Sequence, residues 1–565
     1  MKAIHPEQTD LKTLSKALFW FALVILFGNL LLVVFGSITN YDSLTCHMAR
    51  LQYYLQFGKV WYYGANYWAQ DIHPTNLTYI QILFYKIFGG WENSVLLIQY
   101  LSLLVISFLI HQISLQIYPS KWIAKLSALL IFLFVNPVVQ SATSQNDLFL
   151  TLVFTTQIFI CVRPLALNKK LFFLGLIFIF GLGVKQTFIL YQPAIVIIFL
   201  YFNKLNSIRI GKNSIGLFLI FLLISPLMLS YMFSNYINLG SIHGFKDIIN
   251  HHSILNNGFG FVLKAGIRNL FRYFFDFITL DGLNTYPPLS LYIAKVNNLF
   301  KYEMNQVFSL FLGDLETGPE IRLGFYCLKP LSVEDSSSFW GPIGPLLVIP
   351  AVFFFAIHSF KTKSLGIEIV LCISLITCVL AQAFSSYYDM WRGRYFNELV
   401  PITCIFLASF IAQNWHSRRI RTYIVFVLIL SAFATFGATY LRRERTILFN
   451  RIPNSVFTQS RDELITSNNP EYLKILAFMK TLNPACDSIG LYTTENMPEY
   501  LLFGKGEERK LFPLNSCERT SPWKNLRMDA ILFTDNVLPT DKADIKLGVF
   551  GVNGEVLYYR ENEIR

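Results

Sequence analysis

The feature that most constrains this chain is the spacing of its apolar runs. Stretches near 14–38, 93–117, 121–139, 147–163, 171–184, 186–203, 214–233, 341–359, 365–384, 395–413 and 421–440 are rich in Leu, Ile, Phe and Val and nearly free of charge. A helix needs about 20 apolar residues to cross hydrocarbon, and inside hydrocarbon the backbone must satisfy its own polar groups. The pattern therefore predicts an all-α polytopic membrane protein with about eleven transmembrane helices. Composition agrees: 54% of the 565 residues are hydrophobic and only 15% charged, against about 25% charge in an ordinary soluble domain. The first run exceeds the roughly 7–15-residue core of a signal peptide. No small-residue cleavage site follows it, so it reads as a retained helix.

The positive charges set an expected orientation. They cluster in alternate gaps: Lys2, Lys12 and Lys16; Lys121 and Lys125; Arg163, Lys169 and Lys170; Lys204, Arg209 and Lys212; Lys361 and Lys363; Arg418, Arg419 and Arg421. With the N-terminus inside, every inner gap is basic, as the positive-inside rule requires. The expectation is a bacterial-type cytoplasmic (inner) membrane, with a C-terminal domain outside. The net charge of +12 is spent in these gaps, and no basic stripe with stacking aromatics is present, so nucleic acid is not an expected partner.

Residues 1–440 form the expected transmembrane domain, with a large first outer loop at 39–92 and a long outer loop at 234–340. Within the first loop, Pro74 to Phe88 is amphipathic and short, suited to lying along the interface. The tail, 441–565, reads as a small α/β extracytoplasmic domain. Its pattern predicts a helix over Glu471 to Leu482 and strands at Ser488–Thr493, Ala530–Thr534 and Val556–Tyr559. Cys486 and Cys517 lie in this polar tail and are candidates to pair in an oxidising compartment. The other six cysteines sit in or between apolar segments as small hydrophobes.

Candidate chemistry gathers on the outer side. Tyr41-Asp-Ser-Leu-Thr-Cys-His-Met-Ala-Arg50 begins where the first run stops. Asp42 either ends a helix or acts as a general base or metal ligand, and His47 and Arg50 follow it at helical spacing. Asp71 and His73 form a turn before Pro74, or supply a metal ligand or a second acid–base group. Asp147 opens an apolar run after a very short outer turn, either as part of a helix cap or as a second catalytic carboxylate. Lys185, the cation dividing two apolar runs, either snorkels or binds phosphate. Tyr387-Tyr-Asp-Met-Trp-Arg-Gly-Arg-Tyr395 places Arg392, Arg394 and Tyr395 in an outer turn against the local charge bias. Arginine there suits phosphate, whether of a substrate or of lipid headgroups. The chain contains no G-x-x-x-x-G-K-[ST], H-E-x-x-H or G-x-S-x-G sequence, which argues against hydrolysis of a soluble nucleotide.

Tyr41-Asp42-Ser43-Leu44 with His47, Arg50 and Gly58 resembles the first outer loop of bacterial membrane glycosyltransferases of the GT-C superfamily. These are related to the protein O-mannosyltransferases and the lipid A aminoarabinose transferases. Gln140-Ser-Ala-Thr-Ser-Gln-Asn-Asp147 is similar to the second outer loop of that group, and Trp391-Arg-Gly-Arg-Tyr395 before Pro401 to its late arginine–tyrosine motif. Met497-Pro-Glu-Tyr500 adds a loose similarity in the tail. The resemblance implies transfer of a sugar from a polyprenyl-phosphate donor to a lipid, glycan or protein acceptor on the outer face. It implies Asp42 as general base, or as a ligand that helps hold a divalent metal ion and the carrier phosphate. The metal set by position is Asp42 with Asp71 and His73. Many relatives carry a further acid after a proline late in this loop; here Pro74 is followed by Thr75, Asn76 and Leu77, and the nearest acids are Asp71 and Glu92. The rival readings are a multi-pass secondary transporter, which would favour acids near the bilayer midplane and an inverted repeat, and a lipid-linked glycan ligase or polymerase.

Overall fold

The structure, a computed structural model, describes residues 8–203, 212–245, 250, 252–323, 337–442, 445–447, 455–467, 469, 471–481, 487–493, 497–504, 509–514, 528–534, 551–552 and 555–561. Cys486 and Cys517 lie outside the described residues. Each apolar run lies in helix, but not each helix is long. Six are long and apolar enough to cross a membrane: Asp10–Phe35, Ser94–Ile117, Gly344–Thr362, Ile367–Ser385, Arg392–Asn414 and Arg418–Tyr440. The pair Ile215–Met228 and Ser230–Leu239, bent by 54°, makes a seventh if counted as one span. The break follows Pro226, whose ring and missing N–H disrupt the helical ladder. These helices make the chain a multi-pass integral membrane protein.

Against the expected count of about eleven, six or seven helices among the described residues are long and apolar enough to cross a membrane, and the remaining runs form shorter helices. Two of the shorter runs stop where polar residues enter. The Asp147–Val162 and Leu167–Leu182 helices have 16 residues each, bounded by the Asn146–Asp147 and Gly183–Lys185 turns. The 121–139 run divides at Phe134, whose extended backbone separates Lys121–Leu130 and a short 3-10 turn from Val135–Gln140. Polar backbone at those breaks is tolerated because it is buried against other parts of the protein.

Helix Arg392–Asn414 runs through the middle of the bundle: 94% of its apolar window is buried, against 28–56% for the other five. In the first loop, helix Asn76–Ile87 exposes Tyr79, Leu83 and Ile87 along one side, followed by exposed Phe88 at its end, as an interfacial helix requires. A short parallel pair, β1 (Ile321–Leu323) with β2 (Tyr388–Asp389), ties the 234–340 segment to the turn before Arg392. Further on, β3 (Ser488–Tyr492), β4 (Lys510–Pro513), β5 (Ala530–Thr534), β6 (Gly551–Val552) and β7 (Glu555–Glu561) form a sheet in the order β4-β3-β5-β7-β6. Its first three strands are parallel; β7 runs antiparallel to β5 and β6. Helix Tyr472–Thr481 precedes them. Leu464, Ile475, Leu491, Leu501 and Leu511 from this region share one hydrophobic core with Leu44, Leu51 and Tyr63 of the first loop.

Candidate active site

The first loop leaves the membrane as an irregular helix. Asn40 caps it, its carbonyl and side chain accepting from Ser43 and Leu44 backbone N–H groups. Ser43–His47 then form a π-turn that passes into helix Met48–Phe57, closed by Gly58 at φ 67°. A single wide turn of this kind is frequent at functional sites. Asp42 opens it, with its side chain 38% exposed.

Arg394 reaches Asp42 from the N-terminal end of the central helix, with Nη1 2.5 Å from Oδ2. Its Nε lies 3.9 Å from Oδ2 of Asp147, whose Oδ1 is paired with the Lys185 ammonium. Four distant segments therefore contribute alternating charges in the order Asp42, Arg394, Asp147, Lys185. The Tyr395 ring backs the cations, 4.0 Å from the Lys185 ammonium and 5.2 and 5.4 Å from the guanidinium carbons of Arg392 and Arg394. Asp147 is fully buried; Asp42 is the end of the row that meets open space.

Local constraints hold each member. Ser144 donates to Ser43 at 2.6 Å, joining the segment that carries Asp42 to the one that carries Asp147. Arg445 donates to the Ala142 and Ser37 carbonyls at 2.9 and 3.3 Å, pinning the roots of both. The Asn76 backbone donates to the Gly183 carbonyl at 2.8 Å, fixing the turn that carries Lys185. Gly393 separates the two arginines because a β-carbon there would lie 2.2 Å from the Ser338 carbonyl oxygen. Tyr191 donates to the Tyr395 carbonyl at 2.6 Å.

Burial pushes the Asp42 carboxyl up, but the Arg394 guanidinium overrides it, and the net result lies below the ordinary carboxylate value. Asp42 is therefore ionised at neutral pH. His47 is buried, and burial with the nearby Arg50 charge brings its imidazole down to about 4, so it is neutral.

The other expected residues are placed differently. Arg50 is buried and braces the loop, donating to the His73 carbonyl at 3.1 Å and to Thr78 Oγ1 at 2.6 Å. Arg392 pairs with Asp389 at 3.1 Å, three residues earlier, and is itself buried. Asp71 accepts the backbone N–H groups of Tyr63 and Ala65 at 3.1 and 2.6 Å, and burial raises its carboxyl to about 7. The expected metal set of Asp42, Asp71 and His73 is not brought together. Among the described residues no group of three or more His, Cys, Asp or Glu is arranged to hold a metal ion. The row also interleaves its carboxylates with fixed cations, a donor set that does not fit a divalent ion.

Sequence reasoning missed Asp389, although its spacing from Arg392 is that of a helical pair. It also missed Glu499, a buried carboxylate that accepts from Asn66 at 2.8 Å and Gln70 at 3.0 Å in the first loop. No local signal marks that pairing, since its members stand more than 400 residues apart.

Residues 72–229 match the family described as dolichyl-phosphate-mannose-protein mannosyltransferase. ArnT from Cupriavidus metallidurans bound to undecaprenyl phosphate aligns with a TM-score of 0.55 at 10% identity, over 96% of this chain and 98% of that one. The same protein in its apo state aligns with a TM-score of 0.53 at 12% identity, over 98% of both chains. The apo oligosaccharyltransferase of Archaeoglobus fulgidus aligns more loosely, with a TM-score of 0.47 at 11% identity, over 91% of this chain and 69% of that one. A search of curated proteins finds no match to this sequence. The chain thus shares the fold of ArnT, and its residues 72–229 resemble the dolichyl-phosphate-mannose-protein mannosyltransferase family.

Proposed function

We propose that this chain is a glycosyltransferase that moves a sugar from a polyprenyl-phosphate donor to a lipid, glycan or protein acceptor at the outer membrane face. The observation that carries the reading is the row of alternating charges with ionised Asp42 at its open end. A carrier phosphate at headgroup depth meets Arg394, whose planar fork suits phosphate oxygens, and Lys185 beside it. In competing for Arg394 it loosens that residue's hold on Asp42 and removes the influence that lowers the Asp42 pKa.

Asp42 then takes the proton of the acceptor O–H or N–H group, and the acceptor atom bonds to the anomeric carbon. The bond from that carbon to the phosphate oxygen breaks, and its electron pair leaves with the carrier phosphate. Arg394 and Lys185 stabilise the charge gathered there. Asp147 holds the two cations at working separation. No step is routed through a metal, since the donor set does not fit one.

Two findings support a lipid carrier: ArnT, whose fold this chain shares, is described bound to undecaprenyl phosphate, and the matched family is named for a dolichyl-phosphate sugar donor. The test is mass spectrometry of glycolipids and glycoproteins from cells carrying the wild-type chain, the D42N variant or neither. The expected result is one sugar missing from one acceptor in the latter two. An identical profile with altered solute uptake would replace this reading by transport.

A further inference from the structure

The tail contacts the first loop at Gln56, Asn66, Gln70 and Glu92. Arg461 forms two contacts with Glu92, at 2.6 and 2.8 Å, and Tyr500 donates to the same carboxylate at 2.6 Å. Gln56 exchanges two hydrogen bonds with the Leu511 backbone, at 2.8 and 2.9 Å. These contacts dock the tail on the loop at Gln56 and Glu92. The Glu499 contact differs because it leads into the wide turn that carries Asp42.

Glu499 is 1% exposed and begins the short 3-10 turn Glu499–Phe503. Its Oε1 accepts from Asn66, and its Oε2 from Gln70 Nε2. The same Gln70 nitrogen donates its second hydrogen to the Thr45 carbonyl at 2.7 Å, while Gln70 Oε1 accepts from Tyr63 at 2.5 Å. Thr45 is the middle residue of the π-turn, and its hydroxyl donates to the Tyr41 carbonyl at 3.0 Å. A π-turn lacks the regular ladder of an α-helix, so an external donor to its central carbonyl bears directly on its shape. Burial raises the Glu499 carboxyl, while the Asn66 and Gln70 donors pull it back.

We propose that Glu499 of the tail is a positioning residue for Asp42, acting through Gln70 and the Thr45 carbonyl to hold the π-turn at the reacting height. The proposal rests on the reading of Asp42 as the base. It makes the tail part of the catalytic machinery without any tail residue touching substrate. In reactions of this kind a misplacement of about 1 Å costs up to about 10²-fold in rate.

The test uses the full-length protein in lipid nanodiscs and two readouts, amide hydrogen exchange and sugar transfer. E499Q turns an amide NH2 against the donor of Asn66 or Gln70; Q70A removes the link without altering the tail. Both are expected to speed exchange over residues 43–50 by about tenfold, the loss of one net hydrogen bond, with the Arg392–Asn414 helix unchanged. Both are expected to lower kcat with little change in donor KM.

The double variant Q70E/E499Q restores a donor–acceptor pair between positions 70 and 499 but turns a carboxylate oxygen towards the Thr45 carbonyl. It is expected to restore wild-type exchange over 499–503 and not to restore transfer. Unchanged exchange over 43–50 in both single variants overturns the proposal, and so does full transfer in the double variant, which would mean that docking alone matters. A wild-type protein that transfers no sugar would refute the proposed function, while the exchange data would still decide whether Glu499 holds the turn.

Discussion

Asp42→Asn removes one charge from the row and almost nothing of its shape. Loss of a general base costs about 10²–10⁴-fold in rate, or about 2.7–5.5 kcal/mol of barrier at 1.36 kcal/mol per decade. Stability should change little. The Asp42 side chain is 38% exposed, and exposed ion pairs are worth about 0–1 kcal/mol after solvent screening. Arg394 also keeps Asp147 at 3.9 Å, so no buried charge is stranded. The sign of the pH effect follows from the lowered carboxyl pKa. Any stabilisation from this pair is present above the ordinary carboxylate pKa and lost as pH falls through the lowered value, well below assay pH. The assay is single-turnover transfer by purified protein with saturating acceptor, run beside a thermal melt at the same pH. The expected result is transfer down at least about 10²-fold with a melting temperature within about 2–4 °C of wild type. A D42N protein that transfers at the wild-type rate refutes the reasoning, as does one that melts far earlier.

R394K keeps the charge at the central position but loses the planar fork. Donor KM should rise about tenfold, and an unchanged KM would remove Arg394 from phosphate binding. G393A places a β-carbon 2.2 Å from the Ser338 carbonyl oxygen. It should cost about 1–3 kcal/mol of stability as backbone overpacking, read as a lower melting temperature, together with a loss of transfer. His47 has its pKa lowered from 6.5 to about 4. The unfolded chain thus binds its proton first, and stability falls as pH drops from 6.5 towards 4, by up to about 3 kcal/mol. H47Q should flatten that dependence in melts at pH 7 and pH 4.5.

Much of the site was legible because its charges interrupt greasy sequence. Asp42, Asp147, Lys185 and Arg394 each stand at the edge of an apolar run, and charge bias assigned them to one side before any contact was known. Run length did not reveal how the runs divide: the 147–163, 171–184 and 186–203 runs yield helices of 16 or 17 residues or shorter. Hydropathy does not distinguish burial in protein from burial in lipid. Arg50 and Arg392 looked equivalent to Arg394 in sequence, yet their donors are spent on His73, Thr78 and Asp389. Only the fold reveals which cation is left facing the acid across the site. Glu499 was beyond reach for another reason: its partners lie in a loop more than 400 residues away.

The central helix carries a consequence for how this chain tolerates change. Its apolar window has a mean hydropathy of 1.6 with 94% buried, whereas the first helix reaches 2.7 with only 39% buried. Lipid accepts any apolar side chain of about the right character, so the first helix should drift freely among Leu, Ile, Val and Phe. The central helix packs Thr403, Cys404, Ser409 and Ala408 against neighbours on all sides, where one methylene too many forces a shift. In a saturation mutagenesis scan, tolerance along these two helices should therefore run opposite to the ordinary expectation from hydrophobicity. The less greasy helix would be the one that permits the fewest replacements, and the sensitive positions would trace a path from Asn414 along the helix to Arg394.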